Sequence, residues 1–146
     1  MVRPKFVKAA VKDGEVVKEY PTEVINPKIC SDHTLTQIRE ILRKVVSQGL
    51  AKPAGSKQFS VSGKTGTAQN PHGRDHSTFL SFAPKDNPRI AISVYVENGG
   101  FGATIALPIA SLLEEYYLTD TITRPQLVEQ VKAYNIYYPI YAEDRK

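Results

Sequence analysis

The chain has 146 residues, of which 41% are hydrophobic and 23% charged, with a net charge of +4. That suffices for one domain with a modest core and provides no apolar run long enough for a membrane-spanning helix. The basic residues are scattered and carry no zinc-finger or RNA-recognition signature, so the positive excess reads as solvated surface and no nucleic-acid partner is expected.

In chain order, Lys5–Lys12 and Glu15–Tyr20 flank Asp13-Gly14 and predict a peripheral hairpin around a D-G turn. Pro21–Ser31 is a connector. Cys30, the single cysteine, excludes an internal disulfide and reads as a small apolar residue. Leu35, Ile38, Ile41, Leu42, Val45 and Val46 then recur at helical spacing to about Gln48. Thr34 with Gln37 forms a capping box at the start, Gly49 is placed to end the helix, and the apolar face is expected to pack on a sheet. Ala51–Gln58, with Pro53 and Gly55, reads as a loop.

Ser62-Gly63-Lys64-Thr65-Gly66-Thr67-Ala68-Gln69 puts a cation, hydroxyls and glycines on a short segment with strand character. Such a strand edge suits a ligand that bears a carboxylate. A phosphate-binding loop is excluded: that pattern needs a glycine five residues before Gly63, where Gln58 stands, and a helix after the Lys-Thr pair. Here Gly66, Thr67 and Pro71 oppose a helix.

Thr78–Pro84 and Arg89–Glu97 are rich in β-branched and aromatic residues, with turn formers at Lys85–Pro88 between them, and predict two adjacent antiparallel strands. From Gly102 onward, Ile105, Leu107, Ile109, Leu112, Leu113, Tyr116 and Tyr117 predict a helix with one broad apolar face, and Pro108 falls in its first turn, where a missing N–H costs little. His72 and His76 are spaced H-x-x-x-H, but Pro71 and Gly73 favour a loop and no further ligand pair accompanies them, so no metal site is expected. Arg74 and Asp75 share that loop. Beyond about Thr121 no motif is legible; Tyr134, Tyr137, Tyr138 and Tyr141 read as core or contact aromatics.

The order of a Lys-Thr-Gly-Thr strand, a strand ending Phe82-Ala83-Pro84, a strand leading to Val96-Glu97-Asn98-Gly99-Gly100 and then a helix resembles the C-terminal part of class B penicillin-binding proteins, most of all the elongation type. The likeness is clearest over 61–118. It implies an α+β chain: part of the penicillin-binding/serine β-lactamase-like transpeptidase fold, with about three antiparallel core strands, an N-terminal hairpin and packed helices. It assigns 1–120 to the transpeptidase domain and 121–146 to a C-terminal tail. It also implies that Lys64, Thr65, Gly66 and Thr67 bind the substrate carboxylate, and that the Thr67 N–H serves as an oxyanion donor. The expected activity is peptidoglycan D,D-transpeptidation on D-Ala-D-Ala stem peptides, inhibited by β-lactams, with no cofactor.

The chain departs from the family pattern in one respect. No serine stands three residues before a lysine, and none stands two before an asparagine, so the S-x-x-K nucleophile motif and the S-x-N motif are missing. Alone, the chain is expected to be inactive, as a portion of a longer enzyme whose upstream part supplies the serine and the anchor holding the site at the periplasmic face of the inner membrane. The alternatives are a non-catalytic binding module that reuses the half-fold, or a portion of a D,D-carboxypeptidase or serine β-lactamase. In that fold the last strand pairs with one from far upstream, which leaves 89–97 with an open edge, to be filled by self-association or by the C-terminal tail.

Overall fold

A computed structural model describes residues 1–136. Tyr137, Tyr138 and Tyr141 lie outside the described residues. The chain divides into two units, Met1–Thr36 and a second that begins at Gln37.

In the first unit, β1 (Ala9–Lys12) and β2 (Glu15–Glu19) pair antiparallel. Asp13 and Gly14 both take positive φ, 53° and 85°, as a two-residue hairpin turn of the primed type demands. The register shifts between Ala10 and Val11, where a bulge adds a residue to β2. Val2 bridges Val24, and Arg3 bonds the Glu23 carboxylate through two nitrogens, at 2.6 and 3.0 Å. Val7, Val11, Val16 and Val17 stay exposed, so the ribbon rests on backbone pairing rather than on a core.

α1 (Asp32–Ser47) starts three residues earlier than the Thr34 box predicts. Ser31 is the cap: its hydroxyl accepts the Thr34 N–H at 3.1 Å and bonds the Thr34 hydroxyl at 2.8 Å. Asp32 adds a carboxylate in the first turn, where the helix dipole favours it, and meets Lys28 at 2.9 Å. Gly49 closes the helix by close approach, since a Cβ there would sit 2.8 Å from the Val45 oxygen. Only the last turn enters the core, through Val46; Leu35, Ile38 and Ile41 remain exposed, so the expected packing of the whole apolar face on the sheet is met at one end alone.

In the second unit a 3-10 turn at Lys52–Ala54 leads to β3 (Ser62–Ala68), β4 (His76–Ala83) and β5 (Ile90–Val96), which form one antiparallel sheet in the order β3-β4-β5. α2 (Ala106–Thr119) packs on β4 and β5, and Asp120 caps it in the left-handed region at φ 55°. α3 (Pro125–Lys132), which the sequence left unread, begins with proline at its first position and packs against α2. The core joins Val46, Ala51, Ala54, Val61, Phe79, Ala83, Ala106, Leu107 and Ala110 on the α2 side of the sheet.

Two glutamates interrupt the apolar face predicted for α2. Leu113, Tyr116 and Tyr117 are half exposed, while Glu114 and Glu115 are buried. The Arg124 guanidinium meets Glu115 at 3.0 Å and donates to the Ser111 carbonyl at 2.9 Å, which ties the start of α3 to α2. Burial alone would push the Glu115 carboxyl up, but bonds from the Thr123 hydroxyl and N–H and from Arg124 outweigh it and hold it below the usual range. Glu114 has no such help. Burial pushes its carboxyl up to about 7, against smaller opposing effects of the Ser81 hydroxyl and the Arg124 charge. Ser81 lies outside hydrogen-bonding geometry, so its hydroxyl and both Glu114 oxygens have no partner among the described residues.

Candidate functional site

Among the described residues β3 is an edge strand, and its residues alternate between two faces. Lys64 and Gly66 lie opposite Leu80 and Thr78, on the face away from α2; Thr65 and Thr67 lie opposite Phe79 and Ser77, on the α2 face. The Lys64 ammonium and the two threonine hydroxyls therefore straddle one strand edge from opposite sides. Lys64 is exposed and folds back along the edge, donating to the Thr65 carbonyl at 2.7 Å. Thr65 is half-buried and Thr67 exposed.

The backbone between them can be oriented from its neighbours. Gly102 lies over β3 so closely that a Cβ would come within 2.4 Å of the Gly66 oxygen, 2.5 Å of the Thr78 oxygen and 2.9 Å of the Gly66 nitrogen. These atoms sit together as an antiparallel pair that exchanges backbone bonds would hold them. Alternation then turns the N–H and C=O groups of Thr65 and Thr67 to the free edge, and the Lys64 bond to the Thr65 carbonyl agrees. Gly66 is tight on its other side: a Cβ would stand 2.3 Å from the Thr78 Oγ1. The neighbouring strand thus crowds the Gly66 side-chain position, and the loop crowds its backbone through Gly102.

That loop, 97–105, is held by Ser77, Asn70 and Asn98, which sequence reasoning passed over, and by His76, Asp75 and Tyr134, which it named. The Gly102 N–H donates to the Thr67 Oγ1 at 3.4 Å. Buried Ser77 donates to the Phe101 carbonyl at 2.9 Å and accepts the Ala106 N–H at 3.2 Å, which joins β4 to the start of α2. Asn98 takes a left-handed φ of 55°, its N–H donates to His76 Nδ1 at 3.0 Å, and its side chain accepts from Asn70 at 2.8 Å. The Asp75 carbonyl accepts the Gly100 N–H at 2.7 Å, and Tyr134 donates to the Gly99 carbonyl at 2.7 Å. His76 and Asp75 thus brace the loop beside the edge. Asn98-Gly99-Gly100 was the available signal: an Asn-Gly-Gly run marks a turn, although nothing in it names what the turn rests on.

On the opposite face of the sheet a concavity of 390 Å³ is lined by Leu42, Lys64, Leu80, Phe82, Ala91 and Ser93 among others, and it opens beside the Lys64 stem. Among the described residues no helix is long and apolar enough to cross a membrane. The arrangement offers one cation, two hydroxyls and outward-facing peptide groups to an extended, carboxylate-bearing chain laid along β3.

Comparison with known proteins agrees with this geometry. The family model described as penicillin binding protein transpeptidase domain matches residues 1–113. The chain is 30% identical, over 91% of its length and 22% of the relative's, to the peptidoglycan D,D-transpeptidase MrdA of Haemophilus influenzae. It is 31% identical to stage V sporulation protein D of Bacillus subtilis, over 82% of the chain and 20% of that protein. Among solved structures, penicillin-binding protein A of M. tuberculosis, in its imipenem acyl-enzyme complex, superposes with a TM-score of 0.63 at 25% identity, covering 81% of this chain and 27% of that one. The chain spans about a fifth of the length of these curated relatives. The family model matches well over half of the chain, and the chain belongs to the penicillin-binding protein transpeptidase domain family.

Proposed function

We propose that the chain is the carboxylate-holding side of a peptidoglycan D,D-transpeptidase, of the kind that binds penicillin and cross-links D-Ala-D-Ala stem peptides in cell wall synthesis and cell shape. The observation that carries the reading is the β3 edge itself. Lys64 provides positive charge, the hydroxyls of Thr65 and Thr67 provide directed donors, and charge-assisted bonds to a terminal carboxylate are the stronger kind. Gly66 leaves room for the Thr78 side chain of β4, and Gly102 lets its loop lie against the β3 backbone. The outward N–H of Thr67 is suited to an oxyanion donor, because an edge peptide that is held rigid needs no reorganisation as charge develops.

The nucleophile lies elsewhere in this reading. Without S-x-x-K the chain has no activated serine, and the acylation step that the site serves cannot start. An upstream part of the same enzyme supplies it, residues 1–120 complete the transpeptidase domain and 121–146 form its tail. The enzyme works at the periplasmic face of the inner membrane, where stem peptides and β-lactams reach it. The M. tuberculosis relative captured as an imipenem acyl-enzyme supports β-lactams as ligands of the completed site.

Fluorescent penicillin tests this. The 146-residue chain is expected to take no covalent label, and a form extended upstream until S-x-x-K appears is expected to take it. In the extended form Lys64→Ala is expected to slow acylation by about a hundredfold, the scale of losing one charge-stabilising group. Covalent label on the short chain would overturn the assignment of the nucleophile, and unchanged acylation in Lys64→Ala would overturn the role of the edge.

A further inference from the structure

The loop 97–105 that lies over β3 holds one position only because several groups fasten it. Gly99, Gly100 and Gly102 give its backbone wide freedom, and Asn98 and Gly100 take positive φ, 55° and 75°. Its bonds with Asn70, Asp75, His76, Ser77 and Thr67 all come from β3, β4 or the turn between them. Tyr134 is different: among the described residues it is the one hydrogen-bonding anchor that belongs neither to the sheet nor to the helix that the loop enters. Its hydroxyl donates to the Gly99 carbonyl at 2.7 Å.

α3 delivers that hydroxyl as an arm fixed at both ends. Arg124, immediately before the helix, meets Glu115 at 3.0 Å and the Ser111 carbonyl at 2.9 Å, and reaches the Pro53 carbonyl at 3.4 Å. The helix then spans about 12 Å at the usual rise per residue. At its end the Ala133 N–H donates to the Glu129 carbonyl at 2.9 Å and the Tyr134 N–H to the Val131 carbonyl at 3.2 Å, so the half-buried ring is placed by the last turn of α3. A Cβ on Gly100 would stand 3.3 Å from the Arg74 guanidinium and 3.7 Å from the Tyr134 hydroxyl, so both side chains crowd the loop there.

We propose that Tyr134 is a positioning residue of the β3 edge: through Gly99 it holds the loop where the Gly102 N–H reaches the Thr67 Oγ1, and that contact leaves the Thr67 hydroxyl proton for the bound carboxylate. This rests on the reading of β3 as the carboxylate-holding edge. A hydroxyl has one proton to donate, and an N–H bonded to its oxygen orients that proton elsewhere. The Gly102 bond is long at 3.4 Å, so a small lift of the loop removes it. Thr67 would then rotate freely, and the charge-assisted donor would no longer be preset. The bonds with Asp75 and Ser77 tie Gly100 and Phe101 to the start of β4; Tyr134 ties Gly99 to the helical layer, which Arg124 fastens in turn. The segment beyond 120 thus takes part in the site, although it lies past the stretch 1–113 that the family model matches.

Tyr134→Phe removes the hydroxyl and keeps the ring. In the 146-residue chain it is expected to speed amide hydrogen exchange at Gly100 and Gly102 by about tenfold and to leave the β4 amides unchanged, the pattern of a local opening. Unchanged exchange in the loop would overturn the brace. In the form extended upstream to S-x-x-K, Tyr134→Phe is expected to slow acylation by fluorescent penicillin about fivefold, the scale of one net hydrogen bond. A merely structural bond would lower the urea midpoint and leave that rate alone, and an unchanged rate would overturn the positioning role. Thr67→Val removes the Oγ1 through which Tyr134 acts and keeps the oxyanion N–H, so in that background Tyr134→Phe is expected to slow acylation no further; effects that multiply would overturn the route through Thr67. If the unsubstituted extended form takes no label, the transpeptidase reading fails instead, and exchange in the loop still decides whether Tyr134 holds it.

Discussion

Gly66 and Gly102 are small for different reasons, and the difference is measurable. A Cβ on Gly66 would meet the Thr78 Oγ1, the end of a side chain, whereas a Cβ on Gly102 would meet backbone oxygens of Gly66 and Thr78 that β3 and β4 hold in place. Gly66→Ala is therefore expected to cost about 1–3 kcal/mol, the range of an overpacked site, and Thr78→Ala in the same chain should return most of it. Gly102→Ala is expected to cost at least as much, with no recovery from Thr78→Ala, because no side-chain change moves the oxygens. Urea unfolding of the four variants checks both statements. The glycine in the Lys-Thr-Gly motif is thus required by the scaffold that aims Lys64, Thr65 and Thr67, whatever ligand they meet.

At the scale of elements, α2 carries a carboxyl that the fold tolerates rather than uses. Glu114 is buried against β4, neither oxygen is bonded among the described residues, and burial pushes its carboxyl up to about 7. A raised carboxyl pKa means that the folded chain keeps a proton the unfolded chain releases at lower pH. Stability should then fall as pH rises from about 4.5 to about 7, by roughly 3 kcal/mol, and stay low above that. Glu114→Gln, which keeps the shape without the charge, is expected to flatten that slope and to raise the midpoint of urea unfolding at pH 8; an unchanged slope would mean that the carboxyl is reached by solvent. Glu114 also marks where the sequence was hard to read. The strands, the hairpin turn and the Lys-Thr-Gly edge were legible because alternation, D-G and a four-residue motif are local signals. The buried stripe of α2 was not, since apolar spacing put Leu113, Tyr116 and Tyr117 inward, while the small residues Ala106 and Ala110 let the helix approach the sheet along a face that includes two glutamates. The cap of α1 moved from Thr34 to Ser31 for a similar reason: both offer a hydroxyl, and only the start of the helix decides which one is used.

For the molecule as a whole, the core is one-sided. The sheet buries Phe79 and Ala83 toward α2, but its other face leaves Leu80 and Tyr95 more than half exposed, Leu80 in the concavity beside Lys64 and Leu42. A contiguous apolar face of this kind binds hydrophobic probes, whereas scattered apolar residues such as those of the N-terminal ribbon do not. The chain is expected to enhance the fluorescence of an anilinonaphthalene dye in its folded state, with binding at the concavity. Leu80→Glu places a charge at the centre of that face and removes little buried area, so it should reduce the dye signal severalfold while changing stability by no more than about 0.5 kcal/mol. Val17→Glu, on the exposed ribbon, should change neither. Dye binding that survives Leu80→Glu and is lost in Val17→Glu would place the sticky surface on the hairpin and overturn its assignment to the sheet face.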